Sequence, residues 1–401
     1  MNQVSRPHPA PAFAGNTPAE FTQAYAVCVE KIRRNIVTLA NQPKSGAFAT
    51  DGEYFNFPEE FFDIGNWTSS FFTGMALLAH ETTGDSHFLT QAQRLTGAYR
   101  DKVFTHRMET MHDLGFLYSL YSVPLYQRTQ DPDHRRTALK AADELVKRYI
   151  PAGRYIRAWG RMDEADTDYA GLAIIDCMMN LPLLFWAARE TGDQRYHEIA
   201  VAHANTTQAI FVRNDDSVFH AYRFDAATGA PAGGANYCGH TVDSHWARGT
   251  GWAIYGFALA HRFTKDAKYL DTARRVARKF ISLLDEEVVP VWDFRLSKDS
   301  PPLRDSSAAA VAACGLYELA RQHPQETAWA TAGDTLLKKL CTPQYLDERL
   351  KCPGVLKDAQ VGDGFIAGTS AYQAKNVYTS WGDYFFMEAL SRRVHGMEGY
   401  W

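Results

Sequence analysis

Two kinds of stretch alternate along this chain. One is apolar almost all round, as in FFTGMALLAH, FLYSLYSVPLY, MMNLPLLFWAA, GWAIYGFALAH, AAAVAACGLYELA and YFFMEAL. Helices of that pattern are buried on every side. The other is amphipathic and follows a polar turn, as in MALLAHETTGDSHFLTQAQRL, PLLFWAARETGDQRYHEIAVAHA and GFALAHRFTKDAKYLDTARRVARKF. In these three, Asp85, Asp193 and Asp266 are followed at the third position by Phe88, Tyr196 and Tyr269, and at the seventh by Ala92, Ala200 and Ala273. Third-and-seventh spacing is one helical face, and an Asp before such a helix suits an N-cap. Weaker copies surround Asp131 and Pro324, and NTPAEFTQAYAVCVEKI supplies an opening helix of the second kind. Six buried helices alternating with six amphipathic ones predict an inner ring wrapped by an outer ring. That is an all-α (α/α)6 barrel, with an open solenoid of stacked pairs as the alternative. SVFHAYRFDAATGAP, turning at Thr228-Gly229, and VVPVWDFRL predict small hairpin loops on this helical body, at its active-site end.

No Gly/Ser/Pro-rich linker or charge block divides the 401 residues, so one domain over 1–401 is expected, with residues 1–18 as a loose arm. Hydrophobic residues at 46%, charged at 22% and a net charge of -4 leave ample core and no nucleic-acid footprint. No apolar run reaches the length of about 18 residues that a membrane span needs. The first twenty residues lack an apolar h-region, which points to the cytoplasm. Cys28, Cys177, Cys238, Cys314, Cys341 and Cys352 form no C-x-x-C pair, so reduced thiols are expected and no metal or other cofactor is implied. A monomer and a homodimer are equally compatible with this composition.

Unusual residues gather at the starts of the apolar stretches: Trp67, His112-Asp113, Asp176, then Trp246, Arg248 and Trp252, Arg304-Asp305, and Trp381-Asp383. If alternate helices run parallel, these starts share one end of the barrel and form a funnel floored by helix N-termini, which favours an anionic ligand. Tryptophans with a few carboxylates and an Arg suit a sugar, since indole faces cover pyranose rings and polar tips fix hydroxyls. Asp176 stands out, with Gly171-Leu-Ala-Ile-Ile before it and Cys-Met-Met after. An unpaired Asp in such company holds its proton to higher pH, so it reads as a general acid/base. Helix capping is the competing role for both Asp113 and Asp176. Arg248 divides between pairing a structural acid and clamping a uronate carboxylate, and His220 between a core histidine and a ligand contact.

His112-Asp-Leu-Gly-Phe116, Ile175-Asp-Cys-Met-Met-Asn-Leu-Pro-Leu-Leu-Phe-Trp186 and Trp246-Ala-Arg-Gly-Thr-Gly-Trp252 together resemble glycoside hydrolase family 88, the unsaturated glucuronyl hydrolases, from about Trp67 to Leu390. The resemblance implies removal of a non-reducing-end Δ4,5-unsaturated uronic acid from oligosaccharides left by polysaccharide lyases. It implies Asp176 as the acid/base that protonates C4 and helps water add at C5, with Asp113 binding hydroxyls and tuning Asp176. It also implies Trp67, Trp159 and Trp252 as stacking residues and His112, His220 and Arg248 as polar contacts around the unsaturated ring. Tyr237-Cys238 stands where the family pattern has His-Gln, a departure that bears on substrate preference. Ser370, Tyr372 and Lys375 are expected near the aglycone, where they would meet a sulfate. The rivals are an unsaturated rhamnogalacturonyl hydrolase of family 105, another (α/α)6 glycosidase, and a non-catalytic oligosaccharide-binding protein.

Overall fold

The alternation of all-apolar and amphipathic stretches becomes two concentric rings. The computed structural model describes residues 17–39, 48–50, 53–55, 60–164, 168–362 and 377–401. Numbered in chain order, the outer helices are α1 (Ala19–Leu39), α3 (Ser86–Gln93) with α4 (Thr96–Phe104), α7 (Pro132–Val146), α9 (Gln194–Phe211), α11 (Ala267–Ser282) and α13 (Thr327–Leu340). The inner helices are α2 (Ser69–Thr83), α5 (Leu114–Ser119) with α6 (Ser122–Thr129), α8 (Leu181–Thr191), α10 (Ala247–Thr264), α12 (Ser306–Gln322) and α14 (Ser380–His395). Each inner helix packs on the next, and α14 returns to α2, so the ring closes as an (α/α)6 barrel and an open solenoid is excluded.

Position in the rings explains the two patterns. Every residue of α12 from Ser306 to Ala320 is buried, whereas α11 buries only the face carrying Tyr269, Leu270, Thr272, Ala273, Val276, Ala277 and Phe280. The expected caps are in place. Asp85, Asp131, Asp193 and Asp266 accept from the backbone N–H groups of His87, Asp133, Arg195 and Lys268, so each satisfies one of the donors a helix start leaves free. FLYSLYSVPLY is not one helix but two, α5 and α6. Pro124 has no N–H to offer the carbonyl one turn earlier, and the helix breaks ahead of it.

Strands occupy the loops. β1 (Phe48–Thr50) pairs with β2 (Glu53–Phe55) and β8 (Tyr378–Thr379), β3 (Tyr149–Ile150) pairs with β4 (Tyr155–Ile156), and β5 (Leu172–Ile174), β6 (Ala221–Phe224) and β7 (Pro231–Ala235) form an antiparallel sheet in that order. The turn between β6 and β7 is held by Asp225, whose Oδ1 accepts from the N–H groups of Ala227 and Thr228, and it needs Gly229 at φ +72°. The second expected hairpin does not form: VVPVWDFRL contributes only the isolated bridges Val291–Arg304 and Trp246–Asp293. It is held by neighbouring loops rather than by its own turn. All six cysteines are free thiols. No helix among the described residues is long and apolar enough to cross a membrane. Of the arm expected over residues 1–18, all but 17 and 18 lie outside the described residues.

The barrel is closed at its far end by buried charge. Glu318 on α12 accepts from Arg392 at 3.0 Å and Arg321 at 2.8 Å. Arg392 also donates to Glu388, one turn back on α14, at 2.9 Å, and Glu388 takes the indole N–H of Trp401 at 2.8 Å. The Trp401 ring lies parallel to Phe385 at 5.7 Å.

Candidate active site

Contacts between residues at the starts of the inner helices show that these starts lie together. Trp67, ahead of α2, stacks on Trp381 of α14 at 4.9 Å and meets Phe116 of α5 at 5.4 Å. Phe116 also touches Trp252 of α10, and its N–H donates to Asn180, the residue before α8. Arg248 of α10 pairs with Asp305 at the start of α12. One end of the barrel therefore gathers the residues singled out from the sequence.

Asp176 does not open α8 directly. It follows β5 in a 3-10 turn, Ile175–Met179, which ends at Asn180. Strand pairing buries Leu172 to Ile174 and delivers the carboxyl into the barrel mouth at 9% exposure. Neither Asp113 nor Asp176 caps a helix: Asp113 is at the cap position of α5 but its side chain makes no capping bond, and Asp176 Oδ2 is buried with no hydrogen-bond partner in the protein. An unsatisfied buried carboxyl oxygen is costly and calls for a role. Burial raises Asp176 to about 7, against an opposing pull from Arg248. Burial, with repulsion from Asp176 added, raises Asp113 to about 8. The two carboxyls thus hold protons in the neutral range.

Their histidines are neutral. His220 Nδ1 accepts the backbone N–H groups of Tyr237 and Cys238, each at 3.1 Å. Its proton is therefore on Nε2, which faces Asp176 Oδ2 at 3.9 Å, beyond a hydrogen bond. Burial pulls His220 down to about 3. His112 is also held well below its usual range, by burial and then by Arg148, and its Nε2 is 3.4 Å from Asp113 Oδ1.

Arg248 is paired with an acid of the neighbouring helix start. Its Nη1 donates to Asp305 at 2.9 Å and to the Gln360 carbonyl, and its Nη2 donates to the Val361 carbonyl at 2.6 Å. The guanidinium lies over Trp246 at 4.6 Å and Trp381 at 5.1 Å, and its buried Nε is unpartnered. Trp252 is fully buried, edge-on to Phe116 and Phe385, with its indole N–H toward Asp176 but unbonded. It forms floor, while Trp67 is only partly buried. Trp159 is on the rim, met edge-on by Tyr237 at 4.7 Å and Tyr169 at 5.7 Å. Tyr237 accepts from Arg223 at 2.9 Å, and the buried Cys238 is within electrostatic reach of Arg248 and Asp176. Two residues from the sequence cluster are engaged elsewhere. Asp383 accepts the N–H groups of Val355 and Leu356, and Arg304 pairs with Asp285. Ser370, Tyr372 and Lys375 lie outside the described residues.

Sequence reasoning missed Asn180, whose Oδ1 takes the Phe116 N–H at 2.7 Å and whose backbone leaves no room at Gly115. A Cβ there would come within 2.3 Å of Asn180 Cα. Gly115→Ala is therefore expected to cost about 1–3 kcal/mol of stability and to lower turnover by parting α5 from the Asp176 turn. Urea unfolding and steady-state kinetics check both.

The family model described as Glycosyl Hydrolase Family 88 matches residues 46–331. An unsaturated chondroitin disaccharide hydrolase from Streptococcus pyogenes serotype M1 is 33% identical over 386 residues, covering 95% of this chain and 93% of that protein. The crystal structure of an unsaturated glucuronyl hydrolase responsible for glycosaminoglycan degradation, from Bacillus sp. GL1, superposes with a TM-score of 0.85 at 33% identity, covering 95% of this chain and 98% of that one. A Streptococcus agalactiae unsaturated glucuronyl hydrolase, an Asp-to-Asn variant complexed with dGlcA-GalNAc6S, superposes with a TM-score of 0.79 at 27% identity over 100% of this chain and 99% of that one.

Proposed function

The chain belongs to glycoside hydrolase family 88, and from that premise we propose that it removes the Δ4,5-unsaturated uronic acid from the non-reducing end of glycosaminoglycan-derived oligosaccharides, with Asp176 as acid and then base. The observation that carries the reading is a buried carboxyl raised to about 7 whose Oδ2 has no partner in the protein. Such a group is protonated at neutral pH and free to hand its proton to a ligand.

Asp176 gives its proton to C4 of the enol ether, and positive charge develops at C5. Water adds at C5 and loses a proton to the Asp176 carboxylate. The resulting hemiketal opens at the ring oxygen, and the hemiacetal left at C1 expels the aglycone alcohol. Glycosidic cleavage thus follows hydration and needs no attack at C1, so the carboxyl-separation rule for ordinary glycosidases does not apply. Asp113 holds sugar hydroxyls and, as the second acid of a coupled pair, tunes Asp176. The Nε2–H of His220 and the N–H of Trp252 point where a ligand in contact with Asp176 would sit. Trp67 and Trp159 cover sugar faces, and Arg248, committed to Asp305, acts as a fixed positive wall rather than a free clamp. Tyr237-Cys238 puts a phenol and a thiol where the family pattern has His-Gln, so the aglycone is read by the rim aromatics, with Ser370 and Lys375 as sulfate contacts. We read residues 1–401 as one catalytic unit, cytoplasmic, monomeric or homodimeric, without a cofactor and without nucleic-acid or membrane partners.

Unsaturated disaccharides from chondroitin, hyaluronan, heparin and pectin test this. Loss of the double bond's ultraviolet absorbance together with release of the second sugar is expected with chondroitin or hyaluronan disaccharides. Binding with no loss of absorbance would show a lectin, and preference for pectin fragments a different aglycone specificity. The rate is expected to fall as pH rises through about 7 to 8, because the active form carries its proton on the pair that titrates there. A rate that climbs across that window removes Asp176 as the acid.

A further inference from the structure

Behind the acid pair is a cation that the reaction just described does not use. Arg148 is 2% exposed and makes no ion pair with a carboxylate among the described residues, although a buried charge ordinarily needs one. Its donors go to four backbone carbonyls: Nε to Arg157 at 2.9 Å, Nη1 to Thr110 at 2.8 Å, and Nη2 to Ala158 at 3.1 Å and Gly160 at 3.0 Å.

Those carbonyls belong to two loops of the site. Thr110 is two residues before His112-Asp113, and Ala158 and Gly160 bracket the rim indole Trp159. The Ala158 carbonyl also takes the His112 N–H at 3.1 Å, so the loops are bonded to each other at the point where the guanidinium holds both. A planar fork with five N–H groups does this; an ammonium has neither the span nor the geometry.

The charge has a direction as well. Groups facing Arg148 are Asp113, Cys177 and Arg157. Those facing Asp113 are Asp176, Arg148, Asn180 and the neutral His112. Arg148 is therefore a cation within electrostatic reach of Asp113 across the site wall.

We propose that Arg148 is a positioning residue of the catalytic reaction: its fork sets Trp159 against the Asp113 loop, and its unpaired charge favours the ionised form of the Asp113–Asp176 pair. This rests on the roles proposed for Asp113 and Asp176 in the hydration reaction. Removing the charge withdraws a stabilisation of ionised Asp113, so the pair holds its proton to higher pH. The support from titration is consistent in sign, since Arg148 opposes the upward shift that burial imposes on Asp113.

The test compares wild type with Arg148→Met and Arg148→Gln by the pH profile of kcat/KM on an unsaturated chondroitin disaccharide, with circular dichroism to confirm folding. Both variants are expected to move the alkaline limb up by about half a pH unit or more and to raise KM several-fold by loosening Trp159. The Gln amide can still donate to two of the carbonyls, so it carries the test if the Met protein does not fold. A folded variant whose alkaline limb coincides with wild type overturns the role assigned to the charge, whatever happens to its melting temperature. An unchanged KM in Arg148→Met overturns the role assigned to the fork. If Asp176→Asn retains turnover, it is the acid assignment that falls, a result distinguishable from either.

Discussion

Asp176→Asn is expected to lower kcat by about a hundred- to ten-thousand-fold while KM stays within a few-fold of wild type. The amide keeps the size and polarity of the side chain and loses only the transferable proton. The same substitution carries a stability signature that an ordinary loss of a structural Asp would not. The folded-state pKa of Asp176 is about 7, raised by burial above the ordinary value of 3.8. A carboxyl raised in this way contributes stability below its unfolded pKa and loses it as pH rises through the folded value, because the unfolded chain has released a proton that the native state still holds. Between about pH 4 and 7 the native protein therefore weakens progressively, and an amide, which never ionises, does not. The Asp176→Asn protein is expected to melt at or above the wild-type temperature at pH 8, the gain amounting to at most about 4 kcal/mol, and the two curves should converge near pH 4. Turnover near the wild-type level, or a variant that is less stable at pH 8 than at pH 5 relative to wild type, would contradict a proton-holding Asp176.

The rings were legible because burial on all sides and burial on one face leave different hydropathy patterns. α12 and α11 differ in sequence for the same reason that they differ in position. The site was legible to the extent that its residues broke those patterns. Asp176 interrupts an apolar run, and the tryptophans crowd the helix starts. What escaped is chemistry that depends on backbone partners. Nothing in Lys147-Arg148-Tyr149 indicates that Arg148 is buried among four carbonyls. Likewise Asp305 and the carbonyls of residues 360 and 361, which hold Arg248, come near it only in the closed ring. The Pro124 break was written in the sequence, but an apolar run of that length reads as one helix until the missing N–H is followed to its acceptor.

The far end of the barrel gives the second large effect. Arg392 is 2% exposed and is bonded to Glu318, Glu388 and the Tyr255 hydroxyl. Arg392→Met would place a side chain of similar length there and leave two buried carboxylates short of a cation. Removing one partner from such a network costs about 3–5 kcal/mol, because the remaining charge is uncompensated in a low-dielectric site. Glu318 is not wholly stranded, since Arg321 and Arg262 still reach it. Glu388 keeps the neutral donors Tyr255 and Trp401 but no Arg within hydrogen-bond distance among the described residues. The variant is expected to melt several degrees below wild type at pH 7. The deficit has a predictable pH dependence: Arg262, Arg392 and Arg321 hold Glu318 well below the usual carboxylate range. That contribution is present above the unfolded pKa and fades as pH falls through the folded one, so the gap between variant and wild type should narrow on acidification below about pH 4. The site lies at the opposite end of the inner helices, and KM measured well below the melting temperature is expected to stay within about two-fold of wild type, as distant sites act additively. A midpoint equal to that of wild type would mean that the remaining donors hold Glu318 and Glu388 without help from Arg392.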